Sequence, residues 1–258
     1  MILYIKSEWY RLLRYKWTYL FIGICSVLLL SSNVVLALVN QADDSFKYAT
    51  TYFAFANVYS SLSMVYILCI AVSIIIFGNE YTGHTMKNSV SYGISRSAIY
   101  FGKLAVQIVY SILAFTIIIG VDVISAYLLL ENSGFQEFQF LVRACTASLP
   151  LFICGLATVN CFAFNIEGSG AVAAAAGVMI ALPLVSNALG MKFRFFAELT
   201  QRLPWSILNF TEQDPVTGNL LMYWSSDAGF LRSWILGLLQ AALLTIIGFL
   251  WFRKKEIR

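Results

Sequence analysis

The chain has 258 residues, 60% of them hydrophobic and 12% charged, and a mean hydropathy of +0.77. A water-soluble domain of this size carries about a quarter charged residues, so the composition excludes a soluble fold and makes lipid the main solvent. The net charge of +4 is small and gives no ground for binding nucleic acid; where the charges sit says more than their sum.

Residues 1–16, MILYIKSEWYRLLRYK, set Leu3, Tyr4, Trp9, Tyr10, Leu12 and Leu13 against Lys6, Arg11 and Arg14 at near-helical spacing. This predicts an amphipathic helix lying in the headgroup layer. The basic-aromatic run is long and no small-residue cleavage site follows a short apolar core, so the first apolar stretch is expected to stay as an anchor. A helix rising 1.5 Å per residue needs about 20 apolar residues to cross the hydrocarbon layer. Six stretches qualify: Trp17–Val39, Phe55–Phe77, Leu104–Leu130, Arg143–Phe164, Gly170–Gly190 and Leu231–Phe252. They predict an all-α polytopic membrane protein, a single domain over 1–258 with its six-helix bundle over 17–252. The fifth stretch is rich in Ala and Gly and carries Pro183 in its second half, which predicts a kink there.

An even number of spans puts both termini on one side, and Lys and Arg choose that side. With the ends inside, Lys6, Arg11, Arg14, Lys16, Lys87, Arg96, Lys103, Arg253, Lys254, Lys255 and Arg258 face the cytoplasm, against four acids. Only Lys47, Arg143, Lys192, Arg194, Arg202 and Arg232 then face outward, against eight acids. Both termini are therefore expected in the cytoplasm. The external connection over 191–230 carries Phe193, Phe195, Phe196, Trp205, Tyr223 and Trp224, too aromatic for a structureless loop. It is expected to form short helices at the outer interface. The link from Asn165 to Ser169 is expected to be a tight cytoplasmic turn.

The cysteines, Cys25, Cys69, Cys145, Cys154 and Cys161, all fall in apolar segments and form no CxxC pair. They are expected to act as small buried hydrophobes. His84 is the sole histidine, so no metal site and no catalytic residue are expected in this chain.

The most informative stretch joins the second and third spans: FGNEYTGHTMKNSVSYGISRSAIYFGKL, Phe77 to Leu104. Its GNEYTGHT nearly matches a phosphate-binding loop, but His84 stands where the lysine belongs and a membrane helix precedes it instead of a strand. A nucleotide site here is not supported, and any ATPase must be a separate chain. The pattern resembles permeases of the type-2 ATP-binding-cassette (ABC) exporter family. The second span of those permeases ends in an apolar-x-x-Glu-Tyr-x-x-Gly-Thr-like motif, followed by Gly-x-x-Arg-x-x-x-Tyr-x-x-Lys. The matching positions are Glu80, Tyr81, Thr85, Lys87, Gly93, Arg96, Tyr100 and Lys103, with His84 as a departure. The specific match covers about 27 residues, and the layout match covers the whole chain.

The resemblance implies that residues 78–103 form a cytoplasmic coupling helix that docks on the ATPase, with Glu80 capping or orienting it. The plain alternative is a solvated loop carrying positive-inside charge. The resemblance also implies a bacterial cell-membrane exporter whose ATP and Mg sit on partner ATPase subunits. The permease would pair with a second permease, identical or related. Its cargo would be amphipathic or hydrophobic, with an antimicrobial or cytolytic peptide favoured, as in bacteriocin immunity.

Two features inside the spans remain. Asp122 is the sole acid placed within one; an intramembrane carboxylate costs roughly 2.5–3.5 kcal/mol to insert and marks either a substrate contact or a structural pair. Ala173, Gly177 and Ala181 repeat at four-residue spacing on the fifth span. They suit close helix approach, either within one subunit or at the two-fold dimer contact implied by the resemblance. The competing function is an ion-gradient-driven secondary transporter or channel. It would call for several ionisable residues and broken helices near the midplane, and Asp122 and Pro183 alone offer anything of that kind.

Overall fold

The computed structural model describes residues 1–43, 45–83, 89–166, 168–213 and 220–255. Helix α1 spans Ile2–Arg14 and ends at Tyr15, whose extended backbone (φ −87°, ψ 115°) breaks it from α2, Lys16–Ala42. Next come α3, Thr51–Ser60, α4, Leu62–Gly83, α5, Arg96–Leu129, and α6, Phe135–Asn165. The fifth span is α7, Ser169–Ala176, a π-helical turn at Gly177–Ala181, and α8, Leu182–Gly190. Short helices α9, Arg194–Thr200, and α10, Pro204–Asn209, precede an antiparallel pair, β1 (Thr211–Gln213) and β2 (Leu220–Met222). The last helix, α11, spans Asp227–Lys254.

Among the described residues, five helices are long and apolar enough to cross a membrane alone: α2, α5, α6, Gly170–Gly190 and α11. The second predicted span is not one rod. Thr51–Ser60 and Leu62–Gly78 meet at a 44° bend and make a sixth crossing when taken together. Ser61 sits between them at φ −98°, ψ 10°, and Ser60 Oγ donates to the Asn57 carbonyl 3.1 Å away. Serine hydroxyls that bond back to the helix compete with its ladder and favour such bends.

Other expected boundaries shift too. The third span begins at Arg96, eight residues ahead of Leu104, because Ser95 caps it: Ala98 N donates to Ser95 Oγ at 3.3 Å. At 34 residues this helix is about 51 Å long and extends beyond a bilayer's hydrocarbon layer. The kink expected at Pro183 is taken up one turn earlier. Leu182 N reaches back to the Gly177 carbonyl, and this wider turn precedes a ring that would crowd the carbonyl four residues before it. The 191–230 connection forms the expected short helices and adds the short β1–β2 pair, within a fold that is otherwise helical.

The tightest seam lies between α6 and α11. Ser233, Gly237, Ala241 and Gly248 are buried there. A Cβ on Gly237 would stand 2.8 Å from the Pro150 carbonyl carbon, and one on Gly248 would stand 2.9 Å from Cys161 Cα. Small residues at this spacing let the backbones close up. By contrast α2 leaves Val27, Leu28 and Leu38 well exposed, as a lipid-facing helix does.

Candidate functional site

The coupling-like segment is anchored at both roots. Glu80 and Tyr81 lie in the last turns of α4; Thr85 and Lys87, with His84, fall outside the described residues. The segment returns through Gly93 at φ 81°, a left-handed conformation that glycine adopts without strain. Gly93 N donates to the Val90 carbonyl and Ile94 N to the Ser89 carbonyl, at 3.0 and 3.2 Å. Ser95 then caps α5 and Arg96 opens it, which gives the Gly-x-x-Arg spacing a mechanical sense.

Arg96 binds a second element instead of pointing into solvent. Its guanidinium donates to the carbonyls of Phe252, Arg253 and Lys255, at 3.2, 2.7 and 2.7 Å. These are orphan acceptors at the negative end of the α11 dipole, so a cation is favoured there. One turn on, Tyr100 is fully buried against Phe164, Phe249 and Phe252.

Lys103 is fully buried as well, and its Nζ donates to Glu8 Oε2 at 2.9 Å. Arg11 donates to the same oxygen at 2.6 Å and to the Ile76 carbonyl of α4 at 3.2 Å. The Lys103 ammonium also lies 5.2 Å from the centre of the Phe77 ring, a cation–π distance. Tyr4 of α1 packs on Gly102, where a Cβ would come within 2.8 Å of the Tyr4 ring. One ion cluster thus joins α1, α4 and α5, and Arg96 adds α11. Sequence reasoning counted Glu8 only as a charge. The legible signal was its place on the stripe Tyr4–Glu8–Leu12, all three buried, since an acid on a buried stripe needs a partner.

Asp122 is paired within the bundle. Asn33 of α2 donates from Nδ2 to Asp122 Oδ1 at 3.0 Å and to Ser125 Oγ at 2.8 Å, and Ser125 Oγ donates to the Asp122 carbonyl. All three side chains are buried, and none lines the larger cavities. Nothing in the sequence tied Asn33 to Asp122, because the two lie 89 residues apart.

Ala173, Gly177 and Ala181 share an exposed strip of the fifth span, and nothing lies within 4 Å of a Cβ placed on Gly177. Among the described residues, none packs against Gly177 on that strip. Among the described residues no group of three or more His, Cys, Asp or Glu gathers to hold a metal.

A family model described as ABC-2 family transporter protein matches residues 4–187. That range covers α1 through most of the fifth span, including both roots of the coupling-like segment. No curated protein and no solved structure gives a match.

Proposed function

The chain belongs to the ABC-2 transporter family, and on that premise we propose that it is the membrane permease of an ATP-driven exporter. Two such permeases pair across the exposed Ala173–Gly177–Ala181 strip, and two cytoplasmic ATPase subunits bind and hydrolyse ATP with Mg. Residues 78–103 form the coupling element, with both chain termini on the same cytoplasmic side in a bacterial cell membrane.

One observation carries this reading: the coupling segment grows from two helix ends that are tied to α1 through Arg11 and Glu8 and to α11 through Arg96. A polar segment rooted in buried ion pairs and helix-end bonds transmits a push to the spans, whereas a loosely hung loop absorbs it. Arg96, Tyr100 and Lys103 then serve as the root of the lever, and the stretch from Glu80 to Lys87 as its docking surface. The cargo is amphipathic or apolar, and a membrane-active peptide fits best, given 20 Phe, 14 Tyr and 6 Trp in the chain. A gradient-driven transporter would want its intramembrane acid facing a cavity, and Asp122 is instead held by Asn33.

The test is reconstitution with the cognate ATPase. Glu80→Lys should weaken co-elution with the ATPase by about tenfold or more, the loss expected when one close charge contact becomes repulsive. Arg96→Glu should leave co-elution intact but abolish cargo-stimulated ATP hydrolysis. Unchanged coupling in both variants would sink the proposal.

A further inference from the structure

Two cavities lie on either side of Val142 and Thr146 of α6, at the end of the bundle remote from α1, and share those two residues as a common wall. The first, about 490 Å³, is a groove between α5 and α6 running from Ile112 to Ile124 along α5, with Gly120 in its floor. Thr116 and Thr146 are its hydroxyl-bearing lining residues, and both spend their hydroxyls on their own helix. The second, about 590 Å³, is polar and lies between α6 and α11, with Gln136, Gln139, Arg143 and Asp227 in its wall.

We propose that this pair of cavities is a binding site for an anionic membrane phospholipid, one acyl chain in the groove and the phosphate at Arg143. The dimensions fit a lipid tail. The twelve steps from Ile112 to Ile124 along α5 span about 18 Å, close to the roughly 15 Å of hydrocarbon in one leaflet.

The polar end fits an anion. Gln136, Gln139 and Arg143 of α6 face Asp227 and Phe230 in the first turn of α11 across it. The Arg143 guanidinium lies 5.4 Å from the Phe230 ring centre, and its Nε has no hydrogen-bond partner among the described residues. The counter-charge present is the Asp227 carboxylate, 2.5 Å from Nη2 and 98% exposed. So exposed an ion pair is worth little, about 0–1 kcal/mol, and its carboxylate turns out to water when a phosphate brings two oxygens to the guanidinium. An amphipathic cargo shares the apolar half of this chemistry, but a fixed cation at leaflet depth selects a phospholipid phosphate.

The proposal rests on the membrane-spanning reading alone, so its test needs no ATPase, and its failure leaves the exporter reading standing. The full chain is purified in detergent and titrated with dioleoyl phosphatidylglycerol or dioleoyl phosphatidylcholine, and bound lipid is counted by native mass spectrometry. Wild type should hold one phosphatidylglycerol at least about tenfold more tightly than phosphatidylcholine, the scale of one charge-assisted contact. Arg143→Gln should remove that preference. Gly120→Leu fills the groove where a new Cβ meets nothing within 4 Å, and should weaken both lipids without unfolding the chain. Asp227→Asn removes the competing carboxylate and should tighten phosphatidylglycerol several-fold, an opposite sign that misfolding does not mimic. Equal binding of the two lipids, an unchanged preference in Arg143→Gln, or displacement of both by a hydrophobic peptide but not by phosphatidylglycerol overturns the proposal.

Discussion

Lys103 enters the bundle with no exposed surface, and a lone ammonium there would be prohibitive. Glu8 makes it tolerable, sharing Oε2 between Lys103 and Arg11. Removing one partner of a buried ion pair is destabilising, by about 3–5 kcal/mol at most, while replacing the pair with apolar groups is close to neutral. Glu8→Ala should therefore lower the midpoint of thermal unfolding in detergent sharply, and Lys103→Met added to Glu8→Ala should recover most of the loss. Additive losses in that cycle would mean that the two side chains do not work as a pair. Asp122 follows a milder rule, because polar contacts between spanning helices average nearer 1 kcal/mol. Asn33→Leu should cost about that much. Asp122→Asn keeps a side chain able to bond Asn33 and should preserve cargo-stimulated ATP hydrolysis; loss of transport with an unchanged unfolding midpoint would restore Asp122 as a cargo contact.

At the scale of elements, the governing feature is how closely the backbones approach. The α6–α11 seam depends on Gly237 and Gly248, each facing the backbone of α6 at a distance no Cβ accepts. Gly237→Leu should cost about 3 kcal/mol or more, since overpacking costs roughly 1–3 kcal/mol even where side chains can yield and here the obstacle is main chain. Gly177→Leu, on the open strip of the fifth span, should leave the unfolding midpoint within a degree or two of wild type yet convert a paired permease to monomers by light scattering. The contrast between these glycines explains what sequence could reveal. Hydropathy located every span to within about ten residues at either end, because burial in lipid acts on composition averaged over a whole helix. The bend at Ser61 and the π turn before Pro183 depend on single hydrogen bonds, and the window that finds a span averages them away. The small-residue strip of the fifth span was visible, but the equally regular one on α11 was not, because bulky apolar neighbours conceal it in a hydropathy average. Ser95 belongs with the bend and the π turn: its cap starts α5 eight residues ahead of Leu104, and one side-chain bond does not register in hydropathy.

For the whole molecule, the bonds at the α1 end fix where the two ends of the chain lie relative to each other. Glu8 near the start and Lys255 near the finish both meet the first turns of α5, so both ends of the chain lie at one end of the bundle. Five crossings would put them at opposite ends. The bent pair α3–α4 must therefore complete the return from the far end of α2, where Glu131 N donates to the Ala49 carbonyl, to the root of α5. Hydropathy marks an apolar stretch here, but it does not show that the path is broken into α3 and α4 at Ser61. Which face of the membrane that end occupies follows from the bias of Lys and Arg, a rule of insertion energetics that carries its own experiment. Tyr92 and Met191 are strongly exposed, at 86% and 85%, and stand at opposite ends of the bundle. In a background with the five native cysteines replaced by Ala, Tyr92→Cys should react with a membrane-impermeant maleimide only after the cells are opened. Met191→Cys should react in intact cells. A reversed result would place residues 89–103 outside, beyond the reach of any ATPase, and the coupling proposal would fall with the orientation. Both sites labelling from outside would mean that one of the spans between them re-enters without crossing.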